Sequence, residues 1–101
     1  MSAKEMFEKL GYEYYEKDSR IKGKIPIYTK EVIDTHYTNV KKITFALNGY
    51  ETEEYVIDNN TGERIKTIDN VFINTQELQA INKYFDELGG NNDWRNKGNI
   101  R

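Results

Sequence analysis

Two helix-start signatures, one near each end of the chain, constrain the fold more than anything between them. Ser2-Ala3-Lys4-Glu5 has the capping-box spacing, with a side-chain acceptor for the Glu5 amide and a Glu5 carboxylate to return the bond. Ala3, Met6, Phe7 and Leu10 follow at helical spacing, and Gly11 supplies a left-handed stop. Asn74-Thr75-Gln76-Glu77 repeats the signature ahead of a longer stripe of Leu78, Ile81, Tyr84, Phe85 and Leu88, ending at Gly89-Gly90. The first helix is too short to be stable alone, so its Met6-Phe7-Leu10 face must dock on something.

Between these brackets the sequence reads as strand. Tyr12 to Lys17 is rich in β-prone residues, and Asp18 to Lys24 reads as a turn centred on Gly23. Pro26 has no N–H to give a ladder, which predicts that the next strand begins there or lies at an edge. Residues Ile27 to Thr35 form that strand, with ambiguous alternation. Ile43, Phe45 and Leu47 alternate with Lys42, Thr44 and Ala46, predicting one dry face and one wet one. Asn48-Gly49 is the sequence of a type I′ hairpin turn. A strict turn there would pair Leu47 with Tyr50 and place Thr52 and Glu54 on the dry face. Tyr55 and Ile57 are better core residues, so a bulge or longer loop is expected near Glu51–Glu53. Asp58-Asn59-Asn60-Thr61-Gly62 is a second turn, leading into Arg64–Ile68 and a short segment at Val71–Ile73.

The expected architecture is α+β: a short N-terminal helix, a four- to five-stranded antiparallel sheet and a C-terminal helix, both helices on one sheet face. The predicted core is Met6, Phe7, Leu10, Tyr14, Ile27, Ile33, Ile43, Phe45, Leu47, Tyr55, Ile57, Ile65, Leu78, Ile81, Phe85 and Leu88. A length of 101 residues allows one such core. Residues 1–90 are therefore read as a single domain. Residues 91–101, polar apart from Trp94 and Ile100, are read as a mobile tail.

Composition excludes several function classes. A formal charge of −2 lacks the basic excess of a general nucleic-acid binder and is too mild for a DNA mimic. The chain contains no cysteine, so disulfides, thiolate metal sites and cysteine nucleophiles are out, and a reducing cytoplasm is the expected setting. The charged start, Lys4 to Lys9, precedes no apolar run, so no secretory signal is expected. No segment approaches about 20 consecutive apolar residues, so no membrane span is expected either.

Catalytic and metal chemistry finds little support. Asp58-x-Asn60-x-Gly62 starts like a calcium loop, but Gly62 stands at the fifth position and Glu63 at the sixth, where glycine is required. His36 is the only histidine, with Asp34 its nearest carboxylate, and a strand-end role accounts for it. The two serines, Ser2 and Ser19, lie outside any nucleophile elbow, and no glycine spacing matches a phosphate loop. The chain is expected to be no enzyme and to hold no cofactor or metal.

Two charged surfaces remain. Glu51, Glu53, Glu54 and Asp58 run along one predicted strand and suit a basic protein partner, with charge steering the encounter. Lys17, Arg20, Lys22 and Lys24 cluster around a glycine-containing loop beside Tyr15 and would suit phosphates and stacked bases. Each has a simpler explanation, as an exposed strand protected by charge and as a solvated hairpin tip.

Ala3-Lys4-Glu5-Met6-Phe7-Glu8-Lys9-Leu10-Gly11-Tyr12 resembles the opening of a group of small proteins carried by phages and prophages of low-GC Gram-positive bacteria. Glu77-Leu78-Gln79-Ala80-Ile81-Asn82-Lys83 with Glu87-Leu88-Gly89 resembles their close, and Lys42-Ile43-Thr44-Phe45 is similar to their central strand. The stretch from Arg20 to Asn39 and the tail after Gly90 depart from that pattern. The resemblance assigns no site residues. It implies a non-enzymatic accessory protein in the cytoplasm of a bacterial host; monomer or homodimer is left open, an exposed edge strand near Pro26 being what would support the dimer. Such a protein would bind a host or phage protein, with inhibition of host defence machinery one outcome. A modest single-stranded nucleic-acid binder using the basic loop and tyrosines is the alternative.

Overall fold

The computed structural model describes residues 1–21 and 23–89. It is an α+β fold with the order α1 (Ala3–Lys9), β1 (Glu13–Ser19), β2 (Gly23–Ile33), β3 (Tyr37–Ala46), β4 (Gly49–Asp58), β5 (Arg64–Thr67) and α2 (Thr75–Gly89). The expected tail and Gly90 of the helix stop lie outside the described residues. The chain divides into a helical unit, formed by residues 1–10 with those from Ile73 onward, and a sheet unit, Gly11–Phe72.

Both capping boxes form in the helical unit. Ser2 Oγ accepts from the Glu5 amide at 3.1 Å while Glu5 Oε1 accepts from the Ser2 amide at 2.8 Å. Asn74 Oδ1 and Glu77 Oε1 make the same exchange at 2.7 and 2.9 Å. Glu87, in the last turn of α2, accepts from the Ala3 amide at 3.0 Å. That places a carboxylate on the positive end of α1, where an orphan N–H needs an acceptor. Ala3, Phe7, Ala80 and Ile81 are buried, and so is Glu77. The buried stripe of α2 is rotated from the expected one: it runs through Glu77, Ala80 and Ile81, with Tyr84, Phe85 and Leu88 half-buried and Leu78 exposed. Small Ala80 lets a neighbour approach closely, which a stripe read only from large apolar residues cannot show.

The sheet unit is a meander of five antiparallel strands in chain order. β2 spans Gly23–Ile33 and is an inner strand, so Pro26 marks neither a strand start nor an edge strand. Its ladder with β3 begins only at Ile27, opposite Thr44, while Pro26 faces Glu16 on β1. Pro26 therefore sits just before the β3 ladder, where its missing N–H interrupts no β2–β3 pairing.

The β3–β4 register corrects the hairpin expectation. Ala46 pairs with Gly49 and Phe45 with Tyr50, so Leu47 and Asn48 form the turn and Asn48-Gly49 does not. Neither Asn48 nor Gly49 takes a positive φ, unlike the residues of a type I′ turn. From there the ladder runs without interruption to Tyr37 opposite Asp58, and no bulge occurs near Glu51–Glu53. The shift displaces the pairing by two residues and so leaves Thr52 and Glu54 on the Phe45 face; no bulge is needed because Tyr55 is buried on the opposite face. Ile43 and Phe45 lie on one face with Tyr14 and Tyr28, and Tyr55 lies on the other with Ile27 and Val40. All except half-buried Tyr14 are buried, so both faces carry core residues and the simple division into a dry and a wet face fails. On the first face, Tyr14, Tyr28, Phe45 and Tyr50 form a ring-to-ring chain with centroid spacings of 5.1, 6.0 and 6.4 Å.

Other expected core positions are exposed: Leu47, in the turn, at 84%, Ile33 at 72% and Ile65 at 52%. Tyr12, Tyr28, Val40 and Thr38 are buried instead. Val71–Ile73 forms no strand. Asn59 joins the two turns at one end of the sheet: it accepts from Thr38 Oγ1 at 2.6 Å and donates through Nδ2 to the Asp34 carbonyl at 2.8 Å.

Ile43→Ala should destabilise the protein by about 2–5 kcal/mol in chemical denaturation, whereas Leu47→Asn should change stability by no more than about 0.5 kcal/mol. The hydrogen bond from the Ser2 backbone holds the Glu5 carboxyl below its ordinary range, with the Ser2 hydroxyl contact adding to it. A lowered folded value means the stabilisation is present at neutral pH and is lost as pH falls through that value. The thermal stability gap between wild type and Glu5→Gln should therefore be widest near neutrality and close in acid.

Candidate interaction face

The side chains best organised for recognition lie on the Tyr55 face of the sheet. A bulge creates the arrangement. Thr67 faces Tyr55 and Lys66 faces Val56, but Ile57 is then opposite Arg64, leaving Ile65 as the extra residue on β5. Without that insertion Ile65 would share the Tyr55 face and Arg64 would point the other way. With it, the Arg64 guanidinium lies 3.7 Å from the centroid of the Tyr55 ring, and Lys42 Nζ lies 5.9 Å from the same ring. Beside the ring, Glu53 Oε2 accepts from Arg64 Nη1 at 2.9 Å.

Tyr15 on the edge strand shares this face with Lys42 and is among the groups that favour its charged form, which extends the cluster to β1. Burial works against the Lys42 charge, but Tyr15, Tyr55 and Glu53 outweigh it and raise its pKa. Lys42 is thus a cation at neutral pH, flanked by two aromatic rings and one carboxylate. Tyr15 keeps 42% of its surface exposed and Tyr55 only 8%. Thr44 and Glu51, with Thr52 and Glu53, line an open depression of about 510 Å³ beside the cluster.

The acidic residues read as one strip do not form one. Glu51 and Glu53 share the Tyr55 face, whereas Glu54 and Asp58 belong to the opposite face by strand alternation. Three of the four are engaged within the sheet unit. Glu53 pairs with Arg64, Glu54 accepts from Asn39 Nδ2 at 2.8 Å, and Asp58 Oδ1 accepts from the Asn60 amide at 2.8 Å. The last contact makes Asp58–Gly62 an Asx turn closed by Gly62 at φ 77°, which accounts for the residues of the calcium-like pattern.

The basic loop is also divided. Lys17 lies on the Tyr55 face with Tyr15, and Lys24 on the other, where it pairs with Asp18 at 3.2 Å. Arg20 is exposed in the turn, and Lys22 lies outside the described residues. His36 is exposed, edge-on to Tyr37 at 6.2 Å, and its carbonyl accepts from the Asn59 amide. Sequence reasoning missed Lys42, Tyr55 and Arg64 as a unit. The only signal for it was the spacing of Arg64 after Gly62, and nothing in that spacing reveals a bulge.

No protein-family model, curated protein or solved structure matches this chain. Among the described residues no helix is long and apolar enough to cross a membrane.

A double-mutant cycle between Tyr55→Leu and Arg64→Met should give a coupling of about 0.5–1 kcal/mol, the range for a solvent-accessible cation–π pair. The same cycle between Glu53→Gln and Arg64→Met should give less than about 1 kcal/mol and shrink further in salt.

Proposed function

We propose that this chain is a non-catalytic accessory protein of phage type that binds a host or phage protein through the Tyr55 face of its sheet. The observation that supports the reading is the preset Tyr15–Lys42–Tyr55–Arg64 array. Tyrosine and arginine are the residues that most often carry binding energy at protein interfaces. Here the guanidinium and the ring are already held by Glu53 and by each other, so little side-chain entropy remains to be lost on binding. Glu51 at the rim supplies a charge that steers a basic partner. On this reading the protein acts in the cytoplasm of a bacterial host, and blocking a defence protein is one effect such binding would have.

Modest single-stranded nucleic-acid binding is the second reading, favoured by Tyr15, Lys17 and Lys42 sharing a face. It is weaker because Glu13, Glu31, Glu51 and Glu53 stand on that face with Lys17, Lys42 and Arg64, which leaves no cationic surplus for phosphates.

Affinity capture from host lysate, with and without nuclease, separates the two. The proposal expects a stoichiometric protein partner that survives nuclease. Its affinity should fall about 10-fold or more with Arg64→Ala or Tyr15→Ala and change little with Lys24→Glu. Recovery only of nucleic acid, lost with nuclease or rising salt, would replace it with the second reading.

A further inference from the structure

The strands at the two ends of the sheet are β1 and β5, and they differ in what they offer a neighbour. β5 is four residues long, is interrupted by the bulge at Ile65, and carries Arg64 and Lys66. It presents neither a continuous ladder nor an opposite charge to a second copy. β1 runs seven residues, Glu13–Ser19, in unbroken register with β2, and Glu13, Tyr15, Glu16, Lys17 and Asp18 are exposed.

We propose that β1 is a homodimer edge, pairing antiparallel with β1 of a second copy about a two-fold axis through Tyr15. A two-fold axis perpendicular to the sheet keeps each side chain on its own face, so only residues of the same parity can stand opposite one another. That leaves a small set of registers. Centred on Tyr15, Glu13 faces Lys17 of the second copy and Lys17 faces Glu13, giving two opposite-charge pairs on one face. Tyr14 faces Glu16 on the other face, the same pair that already meets within one strand, where Tyr14 Oη donates to Glu16 Oε2 at 2.6 Å. Centring on Glu16 would set that carboxylate directly against its own copy, and directly opposed like charges destabilise a sheet. Centring on Tyr14 would place Lys17 beyond the paired strand, opposite Gly11. The charge order Glu-Tyr-Tyr-Glu-Lys is thus self-complementary in one register, penalised in the neighbour centred on Glu16 and unmatched in the neighbour centred on Tyr14. Edge charges commonly prevent pairing. These select it.

The paired edge joins two five-stranded sheets into one and brings both Tyr55 faces to the same side, with the two Tyr15 side chains adjacent at the axis. This inference rests on the charge order of β1 and shares only Tyr15 with the proposed partner surface.

The test is sedimentation equilibrium of the full chain across a dilution series from about 1 mM to about 1 µM, the span over which a small interface dissociates. Wild type should pass from dimer to monomer. Glu13→Lys and Lys17→Glu, each placing like charges opposite one another twice, should each be monomeric at least 10-fold higher in concentration. The combined variant Glu13→Lys with Lys17→Glu should recover the dimer. Circular dichroism of the dilute single variants, matching wild type, distinguishes lost pairing from lost folding.

A second measurement needs no equilibrium dimer. The chain contains no native cysteine, so Tyr15→Cys under mild oxidation should give a disulfide-linked dimer. A residue facing itself across an antiparallel pair lies at about 4.5–5.5 Å between Cα atoms, within disulfide range. Glu16→Cys, displaced from its own copy, should cross-link far more slowly. A wild type monomeric throughout the series, single variants that dimerise unchanged, a combined variant that stays monomeric, or equal cross-linking at positions 15 and 16 would each overturn the proposal.

Discussion

The register of the β3–β4 ladder is the constraint on which the sheet unit depends. Ala46 opposite Gly49 fixes every later pair down to Tyr37 opposite Asp58. The alternative register is displaced by two residues, so it keeps every side chain on its own face and changes each cross-strand partner. Had Leu47 paired with Tyr50, Phe45 would have faced Thr52 and Lys42 would have faced Tyr55. The chosen register instead places Phe45 against Tyr50, which adds Tyr50 to the aromatic chain running from Tyr14, and sets Tyr55 beside Val40. Exposing Leu47 is the cost, and it is small beside the burial of Ile43, Phe45, Val40 and Tyr55 that this register permits.

The interaction face follows from a second shift on the neighbouring strand. The bulge at Ile65 exchanges an isoleucine for an arginine above Tyr55. The trade removes an apolar side chain from the face and installs a cation held on both sides, by a ring and by Glu53. Bulges are common where a sheet must re-aim one side chain, and here the re-aimed residue sits at the centre of the candidate site. The meander order of the strands then determines who can join it. Lys42 comes from β3, Tyr55 and Glu53 from β4, Arg64 from β5, and Tyr15 on β1 shares their face. Four strands contribute to one small array, although their residues lie up to half the chain apart.

The helix ends were legible because capping is local. Ser2 with Glu5, and Asn74 with Glu77, need only three residues and their own backbone amides, so spacing alone identified both boxes. The acidic and basic clusters misled for a related reason. Neighbours in sequence are not neighbours on a strand face, so Glu53 and Glu54 separated, as did Lys17 and Lys24. Local charge density says nothing about which carboxylates are already engaged. Glu53, Glu54 and Asp58 all are.

By itself the sequence determined the α+β class, the two capped helices, the strand-rich centre and the turn at Asp58–Gly62, because each is encoded in side chains and amides a few residues apart. Only the tertiary structure decided which face each strand residue occupies, that Ala80 and Glu77 are buried, and that Arg64 meets Tyr55. The strand outcomes depend on register, which is set by pairing between residues distant in sequence, and the burial of Ala80 and Glu77 depends on what packs against α2. The alternative registers differ by only one or two residues, and the summed burial of a whole ladder chooses between them.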